Sequence, residues 1–149
     1  MKIKEIMTKE IISCDIKSSL KEAALLMLNY DIGFLPIKKG KKVVGCLTDR
    51  DIVIYGIANE NDRIESCMKS VLVTIDADAD IVEAIETMKK FKVRRLLVKS
   101  ENKLNGIISI SDIVNNYSKN KEIVEMLKII LEINKNCDID DTNIKDFEL

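Results

Sequence analysis

The chain has 149 residues, room for one compact domain or for two tightly joined half-domains that share a core, and its 46% hydrophobic and 33% charged content is that of an ordinary globular protein. Twenty-four basic residues against 25 acidic ones leave a formal net charge of -1, which offers no global attraction to a phosphate backbone or an anionic bilayer; neither nucleic acid nor membrane is an expected partner. Histidine is absent, and Cys14, Cys46, Cys67 and Cys137 are scattered without a Cys-x-x-Cys pair, which argues against classical zinc sites, so no metal site is expected.

No stretch approaches the length of a membrane span, and Met1-Lys2-Ile3-Lys4-Glu5 lacks the apolar core of a signal peptide, so a cytoplasmic location is expected. The first predicted element is the β-branched run Ile11-Ile12-Ser13-Cys14, followed by the turn-like Asp15-Ile16-Lys17-Ser18. Ser19-Leu20-Lys21-Glu22 has the spacing of a capping box, and Leu20, Ala23, Ala24, Met27 and Leu28 recur at helical intervals up to Asn29. Phe34-Leu35-Pro36-Ile37 and Val43-Val44-Gly45-Cys46-Leu47 then read as two strands joined by a turn from Lys38 to Lys42. Pro36 cannot donate to a ladder, which places its strand at an edge or leaves its amide side open. A helix beginning near Asp49 closes the unit, and Asn59-Glu60-Asn61-Asp62-Arg63 is a polar linker. Cys14 and Cys46, within the strand runs, read as small buried hydrophobes without assigned chemistry.

Sixty-one residues further on the pattern returns. That offset pairs Met7 with Met68, Asp15 with Asp76, Glu22-Ala23 with Glu83-Ala84, Met27 with Met88, Leu35 with Leu96, Gly45 with Gly106, and Asp51-Ile52-Val53 with Asp112-Ile113-Val114, with no gap. Asp80-Ile81-Val82-Glu83 repeats the helix start, Ala84, Ile85 and Met88 the apolar stripe, and Arg95–Val98 with Leu104–Ile108 the strand pair; the last helix begins near Ser111. Two copies of one supersecondary unit that bury a shared face leave a cleft with approximate two-fold symmetry, where function is expected. The predicted boundaries are 1-58 for the first repeat, 59-66 for the linker, 67-120 for the second repeat and 121-149 for a C-terminal helix and acidic tail. Lys121 to Ile133 is a helical segment too apolar to be fully solvated, which packs on the chain's own core or serves as a subunit interface. The tail from Cys137 to Leu149 carries five acids and one lysine, with Ile144 and Phe147 as isolated apolar anchors.

The chemistry-bearing constellation lies where the third strand of each copy turns into the last helix, at Gly45-Cys46-Leu47-Thr48-Asp49-Arg50-Asp51 and Gly106-Ile107-Ile108-Ser109-Ile110-Ser111-Asp112. A hydroxyl at a strand end, followed by a helix N-terminus, directs amides and the positive end of the helix dipole at one spot. A carboxylate three residues later can accept from the two hydroxyls of a ribose. The same residues are also good caps: Thr48 and Ser109 as N-caps, Asp51 and Asp112 as first-turn acids. The copies differ at the mouth of the second strand, where Gly33-Phe34 is replaced by Arg94-Arg95, and guanidinium groups suit bidentate phosphate binding. Arg50 beside Thr48 is a further candidate cation in the first copy.

The run from Ile6-Met7-Thr8 through Gly33-Phe34-Leu35-Pro36-Ile37 to Gly45–Ile52, with Val93–Val98 and Gly106–Ile113 in the second copy, resembles the cystathionine-β-synthase (CBS) domain in tandem over about residues 1 to 118. The resemblance implies an α+β fold of two βαββα repeats related by a pseudo-two-fold axis and packed sheet to sheet as a Bateman module. It also implies a homodimer and an adenine nucleotide or other adenosyl ligand in clefts between the repeats. Carried over residue by residue, it implies one site formed by Arg94, Arg95, Ser109, Ser111 and Asp112 with Ile11 and Ile12 beside the base, and another formed by Thr48, Arg50 and Asp51 with Leu72 and Val73. Because Gly33-Phe34 leaves the first site short of positive charge, the two sites are not expected to take a phosphorylated ligand equally.

The expected function is therefore regulatory sensing of AMP, ADP or ATP, or of S-adenosylmethionine or NADH, with no catalytic cofactor. No nucleophile and base are found together, so no enzyme activity is expected. The competing reading is a dimerisation or protein-docking scaffold with empty clefts, and the C-terminal extension could engage a regulated protein partner under either reading.

Overall fold

The computed structural model describes residues 1–135. Its elements are α1 (Ile3–Ile6), β1 (Cys14–Asp15), α2 (Leu20–Tyr30), β2 (Phe34–Lys39), β3 (Lys42–Thr48) and α3 (Asp49–Asp51), which continues as a π turn (Ile52–Gly56) and a 3-10 turn (Ile57–Asn59). The series repeats as α4 (Ile64–Cys67), β4 (Thr74–Asp76), α5 (Ile81–Phe91), β5 (Arg95–Ser100), β6 (Lys103–Ser109) and α6 (Ile110–Tyr117), and α7 (Lys121–Lys135) follows. The βαββα order read from the sequence is present twice. The short helices α1 and α4 ahead of each repeat are additions, because four residues are too few to show a helical period. The expectation for the acidic tail from Cys137 lies outside the described residues.

Each sheet has three strands, in the orders β1-β2-β3 and β4-β5-β6, with the first pair parallel and the second antiparallel. Pro36 therefore sits in a central strand and not at an edge, which leaves the other alternative, an open amide side. Its missing N–H is tolerated for a local reason. Opposite Pro36, both backbone groups of Cys46 bond to Lys69 at 2.9 Å, so the Pro36 nitrogen points toward β1, where the parallel pairing starts only at Cys14↔Ile37. In the second repeat Leu97 occupies the position of Pro36, and β4 is one residue longer, pairing Thr74 with Leu97.

The chain divides into two compact units, one of residues Glu10–Val73 and one of Met1–Lys9 together with the chain from Thr74 onward. The lead-in to each repeat thus belongs to the unit holding the other repeat's sheet. Thr8 exchanges two backbone bonds of 2.9 Å with Ile107 on β6, and Lys69 does the same with Cys46 on β3. The close approach is set by the repeated glycines. A Cβ at Gly106 would stand 2.7 Å from both Met7 Sδ and the Thr8 carbonyl, and one at Gly45 2.7 Å from Met68 Sδ and 2.8 Å from the Lys69 carbonyl. Lys2 and Lys4 further tie the N-terminal segment down through Asp78, each at 2.7 Å, and these cations hold the Asp78 carboxyl at about 2.

In the first unit the core consists of Cys14, Leu20, Ala23, Met27, Leu35, Ile37, Leu47, Ile52, Ile64 and Cys67. The predicted capping box is made: Glu22 N–H donates to Ser19 Oγ at 3.1 Å and Ser19 N–H to Glu22 Oε2 at 2.8 Å. In the second unit α7 packs against α5 and α6 and buries Ile123, Leu127 and Ile130, each worth about 1.5–3 kcal/mol of burial. Of the two uses open to this segment, packing on the chain's own core is what the structure shows.

Candidate functional site

The two strand-helix corners are built alike. Phe34 pairs with Thr48 and Arg95 with Ser109, so the mouth of each repeat's second strand lies directly across from the capping hydroxyl. The first helical amide bonds back to that mouth, Asp49 N–H to Gly33 O at 3.2 Å and Ile110 N–H to Arg94 O at 3.1 Å. Each corner closes a reciprocal cap. Thr48 donates its N–H and hydroxyl to Asp51 Oδ2 at 2.9 and 2.7 Å and accepts from Asp51 N–H at 3.1 Å; Ser109 does the same with Asp112 at 2.8, 2.6 and 3.2 Å. The capping role is thus realised in full, and it consumes only one carboxylate oxygen of each acid.

What remains differs between the corners. Asp51 is buried, 3% exposed, and its Oδ1 faces Lys69 Nζ at 3.8 Å. Asp112 is half-buried, and its Oδ1 makes no bond or ion pair among the described residues, so it can accept from hydroxyl groups. The second helical amide differs as well. Arg50 N–H is taken by Asp49 Oδ1 at 2.8 Å, whereas Ser111 N–H, next to Ile110, has no hydrogen bond among the described residues and remains available to an anion. At the mouth, Asp49 Oδ2 stands 2.8 Å from where a Gly33 Cβ would be. The first corner therefore presents a carboxylate where the second begins the side chain of Arg94.

All the sequence-predicted residues of the second corner that belong to one unit, Arg94, Arg95, Ser109, Ser111 and Asp112, converge around this junction, with both arginines exposed. Thr48, Asp51 and the exposed Arg50 form the other junction. Ile11, Ile12, Leu72 and Val73 lie in extended segments ahead of β1 and β4, each half-buried, and all four belong to the unit of residues 10–73. Sequence reasoning passed over Asp49 and Lys69. The signal for both was present in the 61-residue offset, which sets Asp49 against Ile110 and Lys69 against Thr8 and so alters the charge at two matched positions.

Burial, reinforced by the Asp51 carboxylate, pushes the Cys46 and Cys67 thiols up, which keeps both protonated and poorly nucleophilic at neutral pH. Among the described residues, no group of three or more His, Cys, Asp or Glu side chains could hold a metal ion, and no helix is long and apolar enough to cross a membrane.

Comparison with known proteins agrees with this architecture. An uncharacterized protein of Bacillus subtilis (strain 168), YlbB, is 31% identical over 136 residues, covering 88% of this chain and 92% of the relative. Hypoxic response protein 1 of Mycobacterium tuberculosis is 34% identical over 132 residues, covering 85% of this chain and 92% of the relative. A crystal structure of Hypoxic Response Protein I with two coordinated zinc ions matches with a TM-score of 0.67 at 35% identity, over 77% of this chain and 98% of that one. The CBS domain pair of protein MJ0100, in complex with 5′-methylthioadenosine and S-adenosyl-L-methionine, matches with a TM-score of 0.74 at 26% identity, over 81% of this chain and 98% of that one. The CBS domain family model matches residues 3–57 and again 64–119, one match to each repeat of the fold, and the chain accordingly belongs to the CBS domain family, with two copies of the domain in tandem.

Proposed function

We propose that this protein is a regulatory module that senses an adenosyl ligand, with an adenine nucleotide such as AMP, ADP or ATP held first of all at the second corner. The observation that carries the reading is the pair of unspent groups at that corner, Asp112 Oδ1 for the ribose hydroxyls and Ser111 N–H for phosphate, beside the exposed guanidinium groups of Arg94 and Arg95. The MJ0100 domain pair, which is similar in fold and was solved with two adenosyl compounds, supports the ligand class. Regulation rather than catalysis fits the protonated thiols. It also fits the relation to inosine-5′-monophosphate dehydrogenase of Methanocaldococcus jannaschii, where the similar stretch spans only 23% of the enzyme.

A ligand that binds the native state alone adds RT ln(1 + [L]/Kd) to stability, about 2.7 kcal/mol at a hundredfold excess over Kd. A thermal-shift panel of AMP, ADP, ATP, NADH and S-adenosylmethionine is therefore expected to raise the melting temperature by several degrees for at least one compound. A flat panel at millimolar ligand would leave the dimerisation or docking scaffold as the better reading.

The scaffold and the sensor share one further expectation, a homodimer. In the first unit α2 packs on the π turn and leaves Leu25, Leu28, Val53, Ile54, Tyr55 and Ile57 exposed, Leu28 at 75% and Ile57 at 70%. The matched helices of the second unit carry Glu86, Lys89, Asn115, Asn116 and Ser118 at five of those six positions and are packed against α7. Six large apolar side chains left exposed on these packed elements, among the described residues, are the kind of surface that marks an interaction site. Light scattering at micromolar concentration is expected to return a dimer mass, and Leu28→Glu with Ile57→Glu a monomer; a monomeric wild type would remove the claim.

A further inference from the structure

We propose that Asp49 sorts ligands between the two corners: it excludes phosphate from the first, which accepts only an adenosyl compound without a phosphate group, and leaves phosphorylated ligands to the second. This deepens the reading of the corners as adenosyl contacts and rests on it. Three observations within the first unit carry the inference. The Asp49 carboxylate lies over Gly33, 2.8 Å from where a Cβ would stand, so negative charge occupies the mouth at which the second unit begins Arg94. The same carboxylate caps Arg50 N–H at 2.8 Å and removes the amide whose counterpart, Ser111 N–H, stays open. Asp51 keeps one oxygen directed at Lys69, 3.8 Å away on a side chain 64% exposed, so ribose hydroxyls can displace the ammonium without displacing the cap.

Charge at the mouth decides the outcome. A phosphate entering the first corner meets the Asp49 carboxylate, finds no open amide, and gains nothing from Gly33; a neutral nucleoside meets none of these penalties. In the second corner Ile110 replaces Asp49, so the same phosphate meets Arg94 and the Ser111 amide instead.

Equilibrium dialysis of the full chain with adenosine and with AMP, at low and high salt, tests this. Wild type is expected to take two adenosines but one AMP. Asp112→Asn, whose amide oxygen still accepts the capping N–H, should keep one adenosine at the first corner and weaken AMP by about 10- to 100-fold. Adding Asp49→Asn to that variant should restore one AMP with at least a tenfold gain in affinity, smaller at high salt where the repulsion is screened. Two AMP per wild-type chain, AMP bound by Asp112→Asn with undiminished affinity, only one adenosine in wild type, or no gain from Asp49→Asn would each overturn the assignment while leaving the adenosyl reading standing. Absence of both adenosine and AMP binding at millimolar concentration would remove that reading and this one with it. Melting temperatures of the variants guard against a folding artefact.

Discussion

Asp112→Ala is expected to weaken AMP by about 10- to 100-fold, because losing a charged hydrogen-bond acceptor costs on the order of 1.5–3 kcal/mol. The structure adds a complication, since the same side chain closes the cap with Ser109 through Oδ2. Asp112→Asn separates the two roles. Its oxygen can still accept the Ser109 N–H, so the melting temperature should hold, but its NH₂ cannot accept from a ribose hydroxyl, so affinity should fall as it does for alanine. Asp51→Ala should behave differently. Its carboxylate is buried, holds the Thr48 cap and faces Lys69, so its removal should act mainly on stability, costing about 0.5–2 kcal/mol for the cap alone. Calorimetric titration beside thermal melts of the three variants decides between the roles. A greater loss of AMP affinity from Asp51→Ala than from Asp112→Ala would show that the corners are ranked in the wrong order.

Gly106→Ala is expected to destabilise the fold by about 1–3 kcal/mol, as overpacking of a close contact does. The new Cβ would stand 2.7 Å from Met7 Sδ, which can swing away, and 2.7 Å from the Thr8 carbonyl, which is backbone and is bonded to Ile107 N–H. Adding Met7→Ala to Gly106→Ala should therefore recover only part of the loss. Gly40 provides a control of the opposite kind. Nothing lies within 4 Å of its position and its φ is +61°, so Gly40→Asn, which tolerates left-handed backbone, should cost little. Urea denaturation of the three variants beside wild type reads both effects, and a Gly106→Ala protein as stable as wild type would show that the lead-in segment is loosely held.

Much of the local structure was legible in the residues. The caps at Ser19, Thr48, Asp80 and Ser109 follow from side chains that bond three residues ahead, and the helix stripes follow from the 3.6-residue period; neither needs a distant part of the chain. Pro36 shows where such reasoning stops. That the residue lacks a donor is a property of proline, but whether a neighbouring strand asks for that donor depends on how far β1 runs beside it. The lone apolar positions of the stripes were similarly ambiguous: Ala24 and Leu28 share the period of Leu20 and Met27, yet both are exposed because no element among the described residues covers that side of α2, whereas Ile85, the counterpart of Ala24, is buried in a unit that includes α7.

By itself the sequence determined the duplication, the element order, the capping pairs and the charge difference between Gly33-Phe34 and Arg94-Arg95, because each is a relation between residues close in the chain or matched at one fixed offset. Only the tertiary structure decided which lead-in serves which sheet, that Met7 rests on Gly106 and Met68 on Gly45, and that Asp49 and Lys69 alter the first corner. These are contacts between segments far apart in sequence or between side chains turned toward one another by the fold, and no local periodicity carries their signature.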